Sequence, residues 1–237
     1  MKQVSLAKLG LVYIGLDRLS DALDALQQAL KMRIINDKLY QLDVAKLFNN
    51  IGVVLYLQKC EKKAIGHFAK AMRIQNYYMH SSLCRDCIKY DNVVSLSNMA
   101  KTYLNRKNHQ MSAFLYEEAL EYQLSILDKD HVDVLEMLDN IAFVKLDSGD
   151  QTNAMNIYKI LHKLQVAKFG CDSYQAVGTL CMMTFIMIQI SNYTVALRYL
   201  TEVLQWQLQT LDLNDVRVKN TQTIIASLQN IIQDGLH

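Results

Sequence analysis

The sequence predicts an all-α solenoid built from helical hairpins, and three observations predict it. Residues of one kind return at a fixed interval: Ala22 and Ala64 stand 42 apart, Ser112 follows after 48, then Ala154 and Ala196 after 42 and 42. Two further columns keep that register, Leu26, Phe68, Tyr116, Tyr158 and Leu200, and Gly10, Gly52, Ala100, Ala142 and Thr184. The 237-residue chain also lacks proline, where average usage would give roughly twelve, and has only 8 glycines, so little in it breaks a helix. A repeat of this length marks units that cannot bury an apolar face alone and must stack on their neighbours.

The elements follow in order. The first hairpin is carried by Leu6, Leu9, Gly10 and Tyr13, then Ala22, Leu26 and Ala29. In the second, Phe48, Ile51, Gly52 and Leu55 fall at i, i+3, i+4, i+7, one face of a helix. A polar break at Gln58 to Lys62 precedes a second stripe, Ala64, Ile65, Phe68, Ala71 and Met72. The same grammar recurs over Leu96 to Leu120, Leu138 to Leu161 and Leu180 to Leu204, with the clearest turn at Ser148-Gly149-Asp150. Val216 to Ile232 has apolar positions at Ile224, Ile225, Leu228 and Ile231, with Asn220, Gln222, Gln229 and Asn230 as its wet side, and reads as a closing helix. The pattern gives one domain over 1–237, with repeats at roughly 3–36, 45–80, 93–128, 135–170 and 177–212 and a cap helix at 216–233. Nothing comparable caps the first hairpin, so it is expected to dock on another surface or to continue a longer chain. In the small-residue column, Gly or Ala lets two helix axes approach; the large residues opposite fill the space between hairpins.

Charge and cysteine content narrow the function classes. A net charge of +2 with acids and bases interspersed supplies no basic stripe for nucleic acid. Val4 to Leu16 has the apolar character of a signal peptide, but Lys8 and Asp17 interrupt it, and it reads as a helix. The longest apolar stretch, Thr179 to Ile190, is well short of the about 20 residues that span a bilayer, so no membrane insertion is expected. Five cysteines, an odd number, suggest free thiols and a reducing compartment, the cytoplasm.

No chemistry stands out. Cys84 and Cys87, preceded by His80 where the spacing lengthens to 48, supply half a zinc site without a second pair and read as a solvated loop with reduced thiols. His67, His109, His131 and His162 stand alone and read as solvated or capping residues. There is no phosphate loop, dinucleotide fingerprint or carboxylate pair. No catalytic residue, metal or cofactor is expected, and the chain reads as a binder of proteins or peptides, not an enzyme.

Leu-Gly, then a Tyr three residues on, a turn, an Ala, an aromatic four later and a closing Ala-Leu resemble the tetratricopeptide repeat. That repeat typically has about 34 residues; eight more extend its helices by about 12 Å in all. The 42-residue form resembles the kinesin light chain type, on Asp43-Val44-Ala45-Lys46-Leu47-Phe48-Asn49-Asn50-Ile51-Gly52 and on the loop Leu127-Asp128-Lys129-Asp130-His131-Val132-Asp133-Val134. Degraded copies of the loop stand at Phe169-Gly170-Cys171-Asp172 and Leu211-Asp212-Leu213-Asn214.

The resemblance implies a right-handed solenoid whose first helices line a concave groove that takes an extended peptide or an amphipathic helix. The implied groove positions are Asn49, Val53 and Tyr56; Ser97, Lys101 and Leu104; Glu136, Asp139, Phe143 and Leu146; and Cys181, Phe185 and Ile188. Beside them runs a column of Asn50, Asn98 and Asn140, ending at Met182. Its amides have two readings, a ladder for the main chain of a bound peptide or ties between neighbouring helices. Glu136 and Asp139 stand where a clamp for a terminal carboxylate would need cations. The helix from Leu180 to Ile190 is apolar on nearly every face, so Phe185 and Ile188 either form a docking floor or are covered. The alternative function is an assembly module that self-associates through the first hairpin.

Overall fold

The computed structural model describes residues 2–36, 41–79 and 85–234. Eleven α-helices occupy them, and no strand is present among the described residues. The chain forms two units, Met1–Asp128 and Lys129–His237. In the first, three hairpins follow one another: α1 (Lys2–Gly15) with α2 (Leu19–Asn36), α3 (Gln41–Leu57) with α4 (Glu61–Met79), and α5 (Arg85–Asn105) with α6 (His109–Leu124). Each helix packs on the next. The second unit pairs α7 (Val132–Asp147) with α8 (Gln151–Phe169) and α9 (Tyr174–Gln189) with α10 (Tyr193–Thr210), and α11 (Val216–Asp234) packs on α10.

Each hairpin crosses where the sequence places a small residue opposite a large one. A Cβ on Gly52 would lie 2.5 Å from a ring carbon of Phe68, and one on Gly10 2.7 Å from Leu26 Cγ. Ala100 and Ala142 are fully buried at the equivalent crossings. The Ser112 hydroxyl donates to the Ala100 carbonyl at 2.9 Å, which satisfies both groups in the crossing. Phe68 and Tyr158 are themselves fully buried, as a residue filling the gap between helices must be.

Every hairpin turn has the same cap. Asp17, Lys59, Lys107, Gly149 and Ser191, which keep the 42, 48, 42, 42 spacing, all have positive φ, between 57° and 86°. In each, this residue's N–H and the next one's reach back to carbonyls three and five residues earlier, as in Lys59 to Tyr56 and Cys60 to Leu55, or Gly149 to Leu146 and Asp150 to Lys145. That is the Schellman arrangement, which satisfies the orphan carbonyls at a helix end. In three turns the next residue also starts the following helix: Asn108, Asp150 and Asn192 accept from the backbone N–H groups of Met111, Asn153 and Val195. His131 caps α7 in the same way, its Nδ1 accepting from the Asp133 N–H.

A fourth column lies in the same register. Gln75, Gln123, Gln165 and Gln207 share the 48, 42, 42 spacing, and all are buried near the ends of the second helices. Gln75 Oε1 accepts from Ser95 Oγ at 3.2 Å and Gln165 Oε1 from Thr179 Oγ1 at 2.7 Å. Gln123 and Gln207 leave Oε1 without a partner.

Three local expectations need correction. From Arg85 onward the segment with Cys87 is not a loop: Ile88 and Asn92, one turn apart and both about 1% exposed, anchor it as the start of α5. Cys87 is disulfide-bonded rather than reduced, and a disulfide sulfur is not the thiolate that zinc requires. Cys60, Cys171 and Cys181 are free; His80 and Cys84 lie outside the described residues. On α11 the covered stripe is Val218, Thr221 and Leu228, with Ile225 half-buried, because this is the side facing α10; Ile224 and Ile231 are exposed.

Candidate binding faces on the first helices

In the first unit the faces of α3 and α5 are tied by two hydrogen bonds and one ion pair. Asn98 Nδ2 donates to Asn49 Oδ1 at 3.2 Å, and Asn105 Nδ2 to the Tyr56 hydroxyl at 2.8 Å. Lys46 pairs with Asp91 at 3.4 Å. Val53 and Tyr56 are half-buried against the core of this unit, Leu104 is half-buried, and Lys101 is exposed. Ser97 keeps a buried hydroxyl without a partner. Asn50 stands apart from the Asn49–Asn98 pair, on the wall of a cavity of about 240 Å³ with Leu11, Ala29, Lys46 and Leu47.

In the second unit the same columns carry different residues. The positions of Asn49 and Asn98 are taken by Asp139 and Met182, so the carboxylate has no amide to hold it. Asn140 turns to its own helix, Nδ2 donating to the Glu136 carbonyl at 3.0 Å. Around Asp139 lies a cavity of about 380 Å³, built from α7, the end of α8 and α9. Glu136 and Asp139 contribute its acidic side; Val132, Leu135, Phe169, Tyr174 and Met182 its apolar walls; Gln165 and Thr179 their hydrogen-bonded pair. The cavity opens at Gly178, which occupies the column of Lys46, Val94 and Glu136 without a side chain; a Cβ there would meet nothing within 4 Å.

The electrostatics follow from that placement. Desolvation, and secondly the neighbouring charge of Glu136, hold the Asp139 carboxyl above its usual value. Burial, and secondly Asp139, push the Tyr158 phenol up as well; its hydroxyl is buried without a partner. Lys168 Nζ donates to the Asp130 carbonyl at 2.6 Å, and Arg217 pairs with Asp215 at 2.8 Å. The loop before α9 is pinned by Trp206, whose indole N–H donates to the Asp172 carbonyl at 2.7 Å.

Phe143 on α7 and Phe185 on α9 are 46% and 49% exposed. Cys181 is exposed too, and α9 has one open stripe, Gly178, Cys181, Phe185 and Gln189. The remainder of this apolar helix faces inward through Leu180, Met183, Thr184, Ile186 and Met187. Leu146 and Ile188 are half-buried against the core of the second unit. The cavity residues that sequence reading passed over, Gln165, Phe169, Tyr174, Gly178 and Thr179, announce themselves only when all columns are written out side by side.

Comparisons with known proteins fit this architecture. A tetratricopeptide repeat family model matches residues 93–133. No curated protein matches the sequence. Among solved structures, the nearly identical TPR-like repeats of a Podosopora anserina protein assigned to the kinesin light chains superpose with a TM-score of 0.74 at 14% identity, covering 87% of this chain and 95% of that one. BtubC (BKLC) from P. vanneervenii gives 0.70 at 13% identity, covering 92% and 85%. A Rap protein in complex with Competence and Sporulation Factor gives 0.59 at 15%, covering 96% and 65%. No helix among the described residues is long and apolar enough to cross a membrane. Residues 93–133 are a tetratricopeptide repeat, and the chain has the fold of tetratricopeptide-repeat proteins, kinesin light chain-like ones among them.

Proposed function

We propose that this chain is a cytoplasmic interaction scaffold, not an enzyme, which binds a peptide or an amphipathic helix on the face carried by its first helices. The observation that carries the reading is the pair Phe143 and Phe185, large apolar side chains left about half exposed on helices whose other faces are buried. Exposed apolar groups at one repeat position, rimmed by Glu136, Asp139 and Asn140, have the composition of an interaction site. A protein of this fold occurs in complex with Competence and Sporulation Factor, which supports a binding role for the architecture.

The test compares the chain with Phe143→Glu/Phe185→Glu by affinity purification and mass spectrometry, after circular dichroism has confirmed folding. Both side chains are solvent-facing, so the helices should form unchanged. Partners that vanish with the variant support the reading; an unchanged set overturns it. A second reading, self-assembly through the first hairpin, is favoured by Leu11, Val12 and Leu16, which are 50%, 55% and 62% exposed on α1 and the turn after it. A monomer by light scattering at micromolar concentration refutes that one.

A further inference from the structure

The second unit contains an acidic cavity that the repeat pattern leaves unfinished. In the first unit the equivalent position, Asn49, is closed by the Asn98 amide at 3.2 Å. Here Met182 stands in the donor's place, and Asp139 and Glu136 share the cavity with no cation at ion-pair distance from either among the described residues. Desolvation, and after it the charge of Glu136, raises the cost of ionising Asp139. Gln165, 8% exposed, also lines the cavity, its Oε1 accepting from Thr179 at 2.7 Å.

The walls restrict what can enter. Phe169 and Tyr174 offer aromatic surfaces, and an aromatic ring attracts a cation over its face. A volume of about 380 Å³ sits at the low end of the roughly 300–1,000 Å³ of ligand pockets, suited to one long side chain and not to a helix. A long basic side chain has the matching anatomy, with an apolar stem for packing and a charged head.

We propose that this cavity is the subsite for a single lysine or arginine of a peptide partner, its charged head between Glu136 and Asp139, its stem against Phe169, Tyr174 and Met182. The Gln165 amide then meets a carbonyl of the same peptide. This rests on the peptide-binding reading above and assigns that face a basic ligand.

The test is selection of a phage-displayed library of random dodecapeptides on the wild-type chain and on Glu136→Gln/Asp139→Asn, both checked for folding by circular dichroism. The expected result is a lysine or arginine at one position of the wild-type winners, and loss of that preference on the variant. A winning peptide made synthetically should bind the variant at least about tenfold more weakly, and lose as much when its basic residue is replaced by norleucine. Gly178→Met, which fills the cavity while leaving both carboxylates, should weaken it similarly. Winners without a basic residue, or a basic preference that survives the double substitution, overturn the subsite while leaving peptide binding intact. No enrichment on the wild-type chain overturns both readings.

Discussion

Alanine in place of glycine should stabilise the chain at one position of the second hairpin and destabilise it at another. Within a helix the exchange contributes about 0.5–1 kcal/mol, because glycine loses more backbone freedom on folding. Gly66 lies on α4, and a Cβ there meets nothing within 4 Å, so Gly66→Ala should show that gain undiminished. At Gly52 the added carbon would sit 2.5, 2.7 and 2.9 Å from three ring atoms of Phe68. Carbon atoms pack best at about 3.5–4.0 Å, so the shortfall is about 1 Å. The ring is fully buried and cannot swing into solvent; α3 and α4 must part, or Phe68 must leave its rotamer. Overpacking of this kind costs about 1–3 kcal/mol, which exceeds the propensity gain. The propensity term is common to both variants, so the difference between them isolates the clash, about 1–3 kcal/mol. Urea titration followed by circular dichroism reads it as a lower midpoint for Gly52→Ala and a higher one for Gly66→Ala at unchanged slope. A Gly52→Ala midpoint equal to or above that of Gly66→Ala would refute the steric account of the small-residue column.

Three further outcomes follow from the same structure. Lys59 holds a φ of 61° in its turn, where an L-residue pays about 1–2 kcal/mol, so Lys59→Gly should raise stability by up to about 1 kcal/mol and Gly149→Ala lower it by a similar amount; equal melting temperatures would contradict this. Tyr158→Phe removes a buried hydroxyl with no partner and should stabilise the chain by about 1–3 kcal/mol in thermal unfolding, whereas a loss would mean the hydroxyl is hydrogen-bonded in solution. Asp139 is held above its ordinary 3.8, so its favourable contribution is fully present below that value and is lost as pH rises through the raised folded one. Asp139→Asn should therefore melt above wild type near neutral pH, and the gap should close in acid; a lower melting point at neutral pH contradicts the assignment.

The fold was legible because its determinants recur. Ala22, Ala64, Ser112, Ala154 and Ala196 are each fully buried, and a position whose size is constrained by packing repeats visibly along the chain. The turns were less legible. Only Gly149 declares the left-handed residue by its type, while Asp17, Lys59, Lys107 and Ser191 adopt the same conformation under the compulsion of the Schellman bonds. The start of α5 was hidden for a related reason. Six additional residues between the second and third repeats bring two cysteines and several charges, a composition that looks like a loop, whereas from Arg85 the chain is helical with Ile88 and Asn92 buried.

The proposed binding residues obey a different logic, since their identity varies from repeat to repeat. The column Asn49, Ser97, Asp139, Cys181 has no common side-chain type, and the column one residue on runs Asn50, Asn98, Asn140, Met182. What each does depends on the pair it forms with the first helix of the next hairpin. Asn49 with Asn98 makes a closed hydrogen bond; Asp139 with Met182 makes an open carboxylate beside a cavity. Neither outcome can be read from one position, and both can be read once the register of the repeat is known. The register therefore carries two kinds of information in this chain: where a column is uniform it specifies packing, and where it varies the contacts between neighbouring first helices change from a closed pair to an open cavity.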